Sequence, residues 1–137
     1  MIRVTRWSRV LVLTAVPLAT GCLDSIVREI DSTNDPKVTN TATEFRYRAE
    51  DLRNVNDRLT FVWTNSDPKA KFHHDSFIHH GYGIVMINDA NGVMVDSTLL
   101  ELNLEAETKA GTPGDWTITL TLAGARGRVD FKLTPEP

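Results

Sequence analysis

The sequence has a single cysteine, Cys22, among its 137 residues. A disulfide within the chain is therefore excluded, and any domain must be held together by side-chain packing. The chain also lacks a glycine-rich phosphate loop and a serine in a nucleophile elbow, two common signatures of enzymes. Because no nucleophile, base and oxyanion donor stand together in the sequence, we predict that the protein is not an enzyme.

Long apolar runs and an excess of basic residues are also missing. The longest apolar stretch, from Val10 to Leu18, has about nine residues and is too short to span a bilayer. The chain has 15 basic and 18 acidic residues, a formal charge of −3. Three of the arginines precede residue 22, so residues 22–137 carry 12 basic against 18 acidic residues, or −6. This charge argues against nucleic acid or anionic lipid as the main partner.

The first 21 residues have the three-part layout of a secretory signal peptide. Arg3, Arg6 and Arg9 precede the apolar run, and no acidic residue lies among them. The small residues 19–21, Ala-Thr-Gly, follow the run and let a peptidase approach the backbone. We therefore predict that residues 1–21 are removed from the mature protein.

The stretch from Ala19 to Cys22, reading Ala-Thr-Gly-Cys, resembles the lipobox of bacterial lipoproteins. The resemblance implies that the Cys22 thiol carries diacylglycerol, that the chain is cut before Cys22, and that the new amine is acylated. Several acyl chains give stable membrane attachment. Leu23 stands where an aspartate would resemble the inner-membrane retention signal of enteric bacteria. We therefore predict a bacterial cell-envelope protein, held through lipid on Cys22 at the outer membrane and facing the periplasm or the exterior.

Residues 22–43 are predicted to form a tether between this anchor and the folded domain. Four apolar residues have the spacing of one helical face and predict a short helix: Leu23, Ile26, Val27 and Ile30. The following residues, 31–43, are polar apart from Val38 and Ala42 and include a proline, which is typical of a linker.

From residue 44 to residue 134 the apolar period changes to two, which is typical of strands with one buried face. Apolar runs begin at Phe45, Leu59, Gly83, Val93, Leu100, Trp116 and Val129. Turns are predicted at 54–57, 89–92 and 123–127, where asparagine, aspartate or glycine occurs. We therefore predict an all-β fold, a single sandwich of about seven or eight strands, with Trp63 and Trp116 in its core.

The runs Gly114–Leu122 and Gly127–Leu133 resemble the closing strands of immunoglobulin-like sandwiches in exported bacterial proteins. The resemblance implies an immunoglobulin-like sandwich over roughly residues 43–134. It carries no binding or catalytic residue with it, because unrelated functions share this architecture.

All four histidines lie within eight residues, as His73, His74, His79 and His80, with Asp75 among them. Imidazole and carboxylate groups are ligands for zinc and copper. If the stretch is one straight strand, His73 and His79 lie about 20 Å apart and nothing within it chelates an ion. If Asp75 and Ser76 form a turn, two or three imidazoles meet at one ion. In the interpretation that we favour, the histidines face solvent while Phe72 and Ile78 point inward.

Two functional hypotheses follow from these observations. The first is a non-enzymatic, lipid-anchored cell-envelope protein whose sandwich is a binding or structural module for a protein partner, without a cofactor. The second is a periplasmic zinc- or copper-binding protein that uses the histidine cluster 73–80. Protonation of all four histidines would also raise the formal charge of residues 22–137 from −6 to −2. The backbone path over residues 74–79 distinguishes a metal site from a solvent-exposed strand.

Overall fold

The computed structural model describes residues 26–102 and 105–137, most of which lie in β-strands. The strands are β1 (Lys37–Asn40), β2 (Phe45–Asn65), β3 (Lys69–His74), β4 (Phe77–Asn88), β5 (Met94–Leu99), β6 (Glu105–Glu107) and β7 (Gly114–Glu136). A 3₁₀ turn at Ser32–Asn34 is the only helical element in the described part of the chain. All strand pairs are antiparallel, and the predicted all-β class is confirmed.

The two longest strands, β2 and β7, pair with each other along almost their whole length. The register runs from Phe45 opposite Leu133 to Asn65 opposite Gly114. These two strands form a ribbon to which the other strands are added. β1 lies beside the first half of β2, whereas β3 and β4 lie one after the other along the free edge of β7.

Two of the turns predicted from the sequence, at 54–57 and 123–127, are wrong. Both segments lie inside the long strands, and their register shifts mark β-bulges. Asn54 and Gly124 have a φ of 57°, and Gly127 has a φ of 130°. The same residue types supply positive φ in a hairpin turn and in a bulge, so local sequence does not separate the two. The turn predicted at 89–92 is present and joins β4 to β5.

The bulges fold the ribbon so that its two halves face each other across the core. The ring of Phe61, in the second half of β2, lies 5.3 Å from those of Phe45 and Tyr47 in the first half. The first half carries the strand order β1-β2-β7-β3-β6, and the second half is extended by β4 and β5. The fold is therefore a β-sandwich made from one folded sheet. We call its folded end, residues 50–57 and 123–128, the bend, and the opposite end, with residues 65–69, 89–92 and 109–115, the far end.

Alternation along the strands places the apolar side chains of both halves in one core. Trp63 and Trp116 are register partners and fully buried, as the sequence predicts. The indole N–H of Trp63 donates to the carbonyl of Thr41, and that of Trp116 to the carbonyl of Thr112, both at 2.8 Å. Since a buried indole N–H needs an acceptor, these bonds attach the loops around Thr41 and Thr112 to the core.

The predicted short helix of the tether is not found in residues 26–30. Arg28 instead forms a parallel bridge with Val55 at the bend. The Arg28 N–H donates to the carbonyl of Asn54 at 3.1 Å, and the Asn56 N–H donates to the carbonyl of Arg28 at 2.9 Å. Backbone pairing with residues 54–56, which are distant in sequence, prevents the helix that the apolar spacing predicts. Residues 1–25, with Cys22 and the lipobox-like stretch, lie outside the described residues.

Other residues of the predicted tether also belong to the sandwich. The buried side chain of Asn34 donates to the carbonyls of Glu50 and Asp51 at 3.1 and 3.2 Å. β1, also within 22–43, pairs with β2 over four residues. The folded part therefore begins before residue 44.

The apolar alternation over 100–106 predicts a longer strand than the structure contains. Leu100 is fully buried in a turn after β5, where its N–H donates to the carbonyl of Gly83. β6 covers only Glu105–Glu107, which pair with β3.

Candidate functional site

The histidine stretch does not turn back on itself. β3 and β4 both pair with β7, and the register passes from His74 opposite Phe131 to Phe77 opposite Arg128. Ser76 lies in the short gap between these strands, where its hydroxyl accepts from the Asp130 N–H at 3.0 Å. The backbone therefore continues along β7, and the hairpin mouth that a metal site would need is not formed.

Each histidine has a different environment. His73 is exposed and lies opposite Lys132 on β7. His74 is only 2% exposed, and its burial lowers its pKa, although a hydrogen bond with the Leu102 backbone opposes this effect. His79 and His80 are exposed, and Phe72 and Ile78 are buried as the sequence predicts. The prediction that the histidines face solvent is correct for three of the four.

Metal binding by His73, His74, Asp75, His79 and His80 stays a prediction. No three His, Asp, Glu or Cys side chains within residues 26–102 and 105–137 are placed to hold a metal ion together. The Asp75 carboxylate instead pairs with Arg128 at 3.3 Å. The two histidine pairs are separated along an extended path, as in the straight-strand alternative.

The outer surface of the half formed by β1, β2, β7, β3 and β6 carries a network of ion pairs, which we call the charged face. Asp130 lies at its centre and accepts two hydrogen bonds from Arg46, at 2.9 and 2.7 Å. Arg48 lies 3.2 Å from the same carboxylate and also 3.2 Å from Glu50. The hydrogen bond to Asp130 raises the pKa of Arg46 further, so Arg46 stays charged at neutral pH.

A row of basic side chains crosses the charged face. Arg46, Lys132 and His73 occupy register positions directly opposite one another on β2, β7 and β3. Among the described residues, Lys132 forms no ion pair within 4 Å, although its charge helps to lower the pKa of Glu105 on β6. Basic groups directly opposite each other on neighbouring strands destabilise a sheet. The arrangement therefore suits an anionic group placed over the row.

Two grooves flank this basic row. One, of about 180 Å³, is lined by Arg46, His73, Asp75, Asp130 and Lys132. The other, of about 280 Å³, is lined by Lys71, His73, Glu105, Lys132 and Thr134. His73 and Lys132 belong to both grooves. The carboxylate of Glu105 lies 2.9 Å from Lys71, whose hydrogen bond lowers the pKa of Glu105 and keeps it ionised.

The outer surface of the other half differs in composition. It presents alternate residues of β2 and β7, mainly threonines and one valine, namely Thr60, Val62, Thr64, Thr117 and Thr121, whereas Thr119 between them is buried. Val62 is exposed, and the carboxylate of Asp115 accepts a hydrogen bond from Thr64 at 2.8 Å. We call this surface the threonine face. It offers a control surface with few charges.

The bend contains two adjoining cavities. The first, of about 320 Å³, is lined by Arg28, Thr33, Asn34, Asp51 and Arg53. The second, of about 370 Å³, is lined by Asp51, Leu52, Arg53, His79, Arg126 and Gly127. Asp51, which has a φ of 49°, and Arg53 belong to both. The bulge turns these two residues outward, away from the regular alternation of β2.

Sequence reasoning identified His73 and Asp75 but missed the residues around them. Arg46, Asp130 and Lys132 have the outward parity of their strands, and exposed charges at such positions are ordinary in any strand. Only the register of β2, β7 and β3 brings them together with His73 on one face. The sequence offers no local signal that would have found this set.

No protein-family model matches the chain, and no curated protein matches it significantly. Among the described residues, no helix has the length and apolar character required to cross a bilayer.

Proposed function

We propose that this is a non-enzymatic, lipid-anchored protein of the bacterial cell envelope whose β-sandwich is a binding module. The anchoring part of the proposal is supported by the signal-peptide layout of residues 1–21 and by the lipobox-like stretch that ends at Cys22. The binding part is supported by the charged face. Its partner is a protein that presents carboxylate groups to the basic row.

The observation that carries the binding proposal is the position of Lys132 between Arg46 and His73. Arg46 is held by Asp130, whereas Lys132 has no such acidic partner in the described part of the chain. An incoming carboxylate at Lys132 would relieve the repulsion across the row and form a charge-assisted hydrogen bond. The flanking grooves give side chains of the partner room to approach.

The anchor is tested with the substitution Cys22→Ala in the full-length protein. We expect the unaltered protein to incorporate labelled palmitate and to fractionate with outer membranes. The variant should incorporate none and retain its uncleaved leader. Palmitate incorporation by the variant, or its absence from the unaltered protein, would exclude lipidation at Cys22.

The binding face is tested by cross-linking in cells. A photoreactive amino acid is placed at Lys132 on the charged face and, as a matched control, at Thr121 on the threonine face. We expect a discrete adduct from position 132 that disappears when His73→Glu and Lys71→Glu are added. Equal adducts from both positions, or none from position 132, would reject the charged face as the binding surface.

A further inference from the structure

We infer that the bend is the surface that faces the lipid bilayer, and that Arg28, Arg53 and Arg126 bind phosphate groups of phospholipid headgroups there. This inference rests on the proposed lipid anchor at Cys22. It adds an orientation of the domain on the membrane and a direct contact with lipid.

The chain enters the folded domain at the bend. Arg28, the first of the described residues with a backbone bridge to the sandwich, pairs with Val55. Arg28 follows Cys22 by only six positions. An extended chain covers about 3.3 to 3.6 Å per residue, so the anchor holds the bend within roughly 20 Å of the lipid. The far end lies about ten strand residues away from Val55, or roughly 33 Å.

The cavities of the bend carry the groups that phosphate binding requires. Arg28, Arg53, Arg126 and His79 line them, against the single carboxylate of Asp51. A guanidinium group binds phosphate oxygens through two parallel hydrogen bonds. Because Arg53 belongs to both cavities, it connects them into one basic surface.

Two of these arginines lack a close ion pair in the described chain, although Arg28 is near enough to Asp31 to help lower the pKa of that carboxyl. Arg28 and Arg53 form no side-chain ion pair within residues 26–102 and 105–137. Nearby carboxylates have other partners, since Glu50 pairs with Arg48 at 3.2 Å. Asp57 accepts from the backbone N–H of Ile30 and of Arg58.

An exposed aromatic side chain lies beside these cavities. Phe77 is 61% exposed, and its ring lies 5.6 Å from that of His79, which lines the second cavity. Aromatic side chains are favoured at the level of lipid headgroups, where one part of the ring is apolar and the surroundings are wet. Phe77 therefore extends the basic surface with a group suited to the membrane interface.

The distribution of charge reconciles this contact with the formal charge of −6 for residues 22–137. At the far end, Asp67, Asp89 and Asp115 outnumber Lys69 and Lys109 by one charge, whereas at the bend Arg28, Arg53, Arg126 and Arg128 outnumber Glu50, Asp51 and Asp57 by one. An anionic bilayer repels the far end and attracts the arginines of the bend, so both effects favour the same orientation. The formal charge of the whole chain therefore does not give the charge at either end of the sandwich.

The test uses the chain from Cys22 to Pro137, coupled through its only thiol to maleimide lipids in vesicles. This coupling places an anchor at the natural position, whether or not cells lipidate Cys22. Exchange of backbone amide hydrogens is compared between vesicles with phosphatidylglycerol and vesicles of phosphatidylcholine alone. We expect amides of 50–57 and 123–128 to exchange about tenfold more slowly on the anionic vesicles, with no change at 89–92 and 109–115.

The double substitution Arg28→Glu with Arg53→Glu should abolish this slowing. The matched control, Lys69→Glu with Lys109→Glu, makes the same change in net charge at the far end and should keep it. Urea unfolding curves first establish that both variants are folded. Equal slowing at both ends, slowing that survives Arg28→Glu with Arg53→Glu, or no slowing at all would overturn the inference. Any of these results leaves the anchor itself in place, because palmitate labelling of Cys22 tests that separately.

Discussion

The indole ring of Trp63 meets that of Trp116 edge to face, with ring centroids 6.4 Å apart and an angle of 84° between the planes. The two residues are direct partners across β2 and β7. Edge-to-face pairs of this kind contribute about 0.5–1.5 kcal/mol beyond the burial of their surface. The contact therefore joins the two strands whose ribbon forms the frame of the sandwich.

Replacing Trp63 by phenylalanine should lower the free energy of unfolding by about 2–4 kcal/mol, measured by urea unfolding. The substitution removes the hydrogen bond to the Thr41 carbonyl and leaves a gap in the core. The adjacent Val62 faces outward, and Val62→Ala should change the free energy by less than about 0.5 kcal/mol. Equal losses in the two variants would show that Trp63 is not a central core residue.

Gly127→Ala should destabilise the bend severely. Gly127 has a φ of 130°, and a Cβ added there would overlap the carbonyl oxygen of Phe77 on the neighbouring strand β4. A backbone oxygen in a sheet cannot move aside as a flexible side chain can, so we expect a loss of more than about 3 kcal/mol.

Gly92→Ala is the matched control for that substitution. Gly92 has a φ of 78°, but an added Cβ meets no atom within 4 Å. The control therefore isolates the conformational cost of a side chain at positive φ, about 1 kcal/mol. Chemical unfolding of both variants gives the comparison, and a similar loss in the two would exclude the steric conflict with Phe77.

The strands could be predicted from the sequence because side-chain alternation is a local property. The β-bulges at Asn54 and Gly124 could not be predicted from the sequence, because each of these residue types supports a hairpin turn as readily as a bulge. Pairing between β2 and β7 decides in favour of the bulge, since their sequences continue to match beyond these residues. The two hairpins predicted at 54–57 and 123–127 are thus replaced by the single ribbon of β2 and β7.

The candidate site was likewise predictable from the sequence only in part. Residue types around His73 and Asp75 drew attention to β3, but the two histidine pairs do not face each other, because β7 holds the backbone of 74–79 extended. Lys132 becomes notable only through its register partners, and Arg53 only through the bulge that turns it toward the cavities. Both depend on contacts between residues far apart in the chain.

Tyr47→Phe should leave stability unchanged or raise it by up to about 1 kcal/mol. Tyr47 is 1% exposed, and its hydroxyl has no hydrogen-bond partner among the described residues. Burial raises the pKa of Tyr47 to about 12, because the phenolate would lose its hydration. Removing the hydroxyl eliminates an unsatisfied buried group while the ring keeps its packing against Phe61 and Phe131.

Thermal unfolding of Tyr47→Phe is compared with that of Tyr82→Phe, where the hydroxyl belongs to an exposed residue. We expect no change for Tyr82→Phe. A loss of more than about 1 kcal/mol for Tyr47→Phe would reveal that its hydroxyl has an acceptor or donor in solution.

His74 should make the stability of the sandwich fall as the pH drops below about 6.5, the ordinary value for histidine. Burial beside Phe72 lowers the pKa of His74 in the folded state, and nearby His73 lowers it further. Asp75 and the hydrogen bond with Leu102 act in the opposite direction. The unfolded chain therefore binds a proton at a pH where folded His74 does not, and acidification favours unfolding until the pH reaches the folded-state pKa.

Melting temperatures at pH 7.5, 6.5 and 5.5 measure this effect. His74→Gln removes the titrating group from the core, so its melting temperature should fall less over this range than that of the unaltered protein. His79→Gln, at an exposed position, serves as the control and should retain the full pH dependence. If His74→Gln and the unaltered protein lose stability equally, the titration arises elsewhere, and His74 is already accommodated in its charged form within the fold.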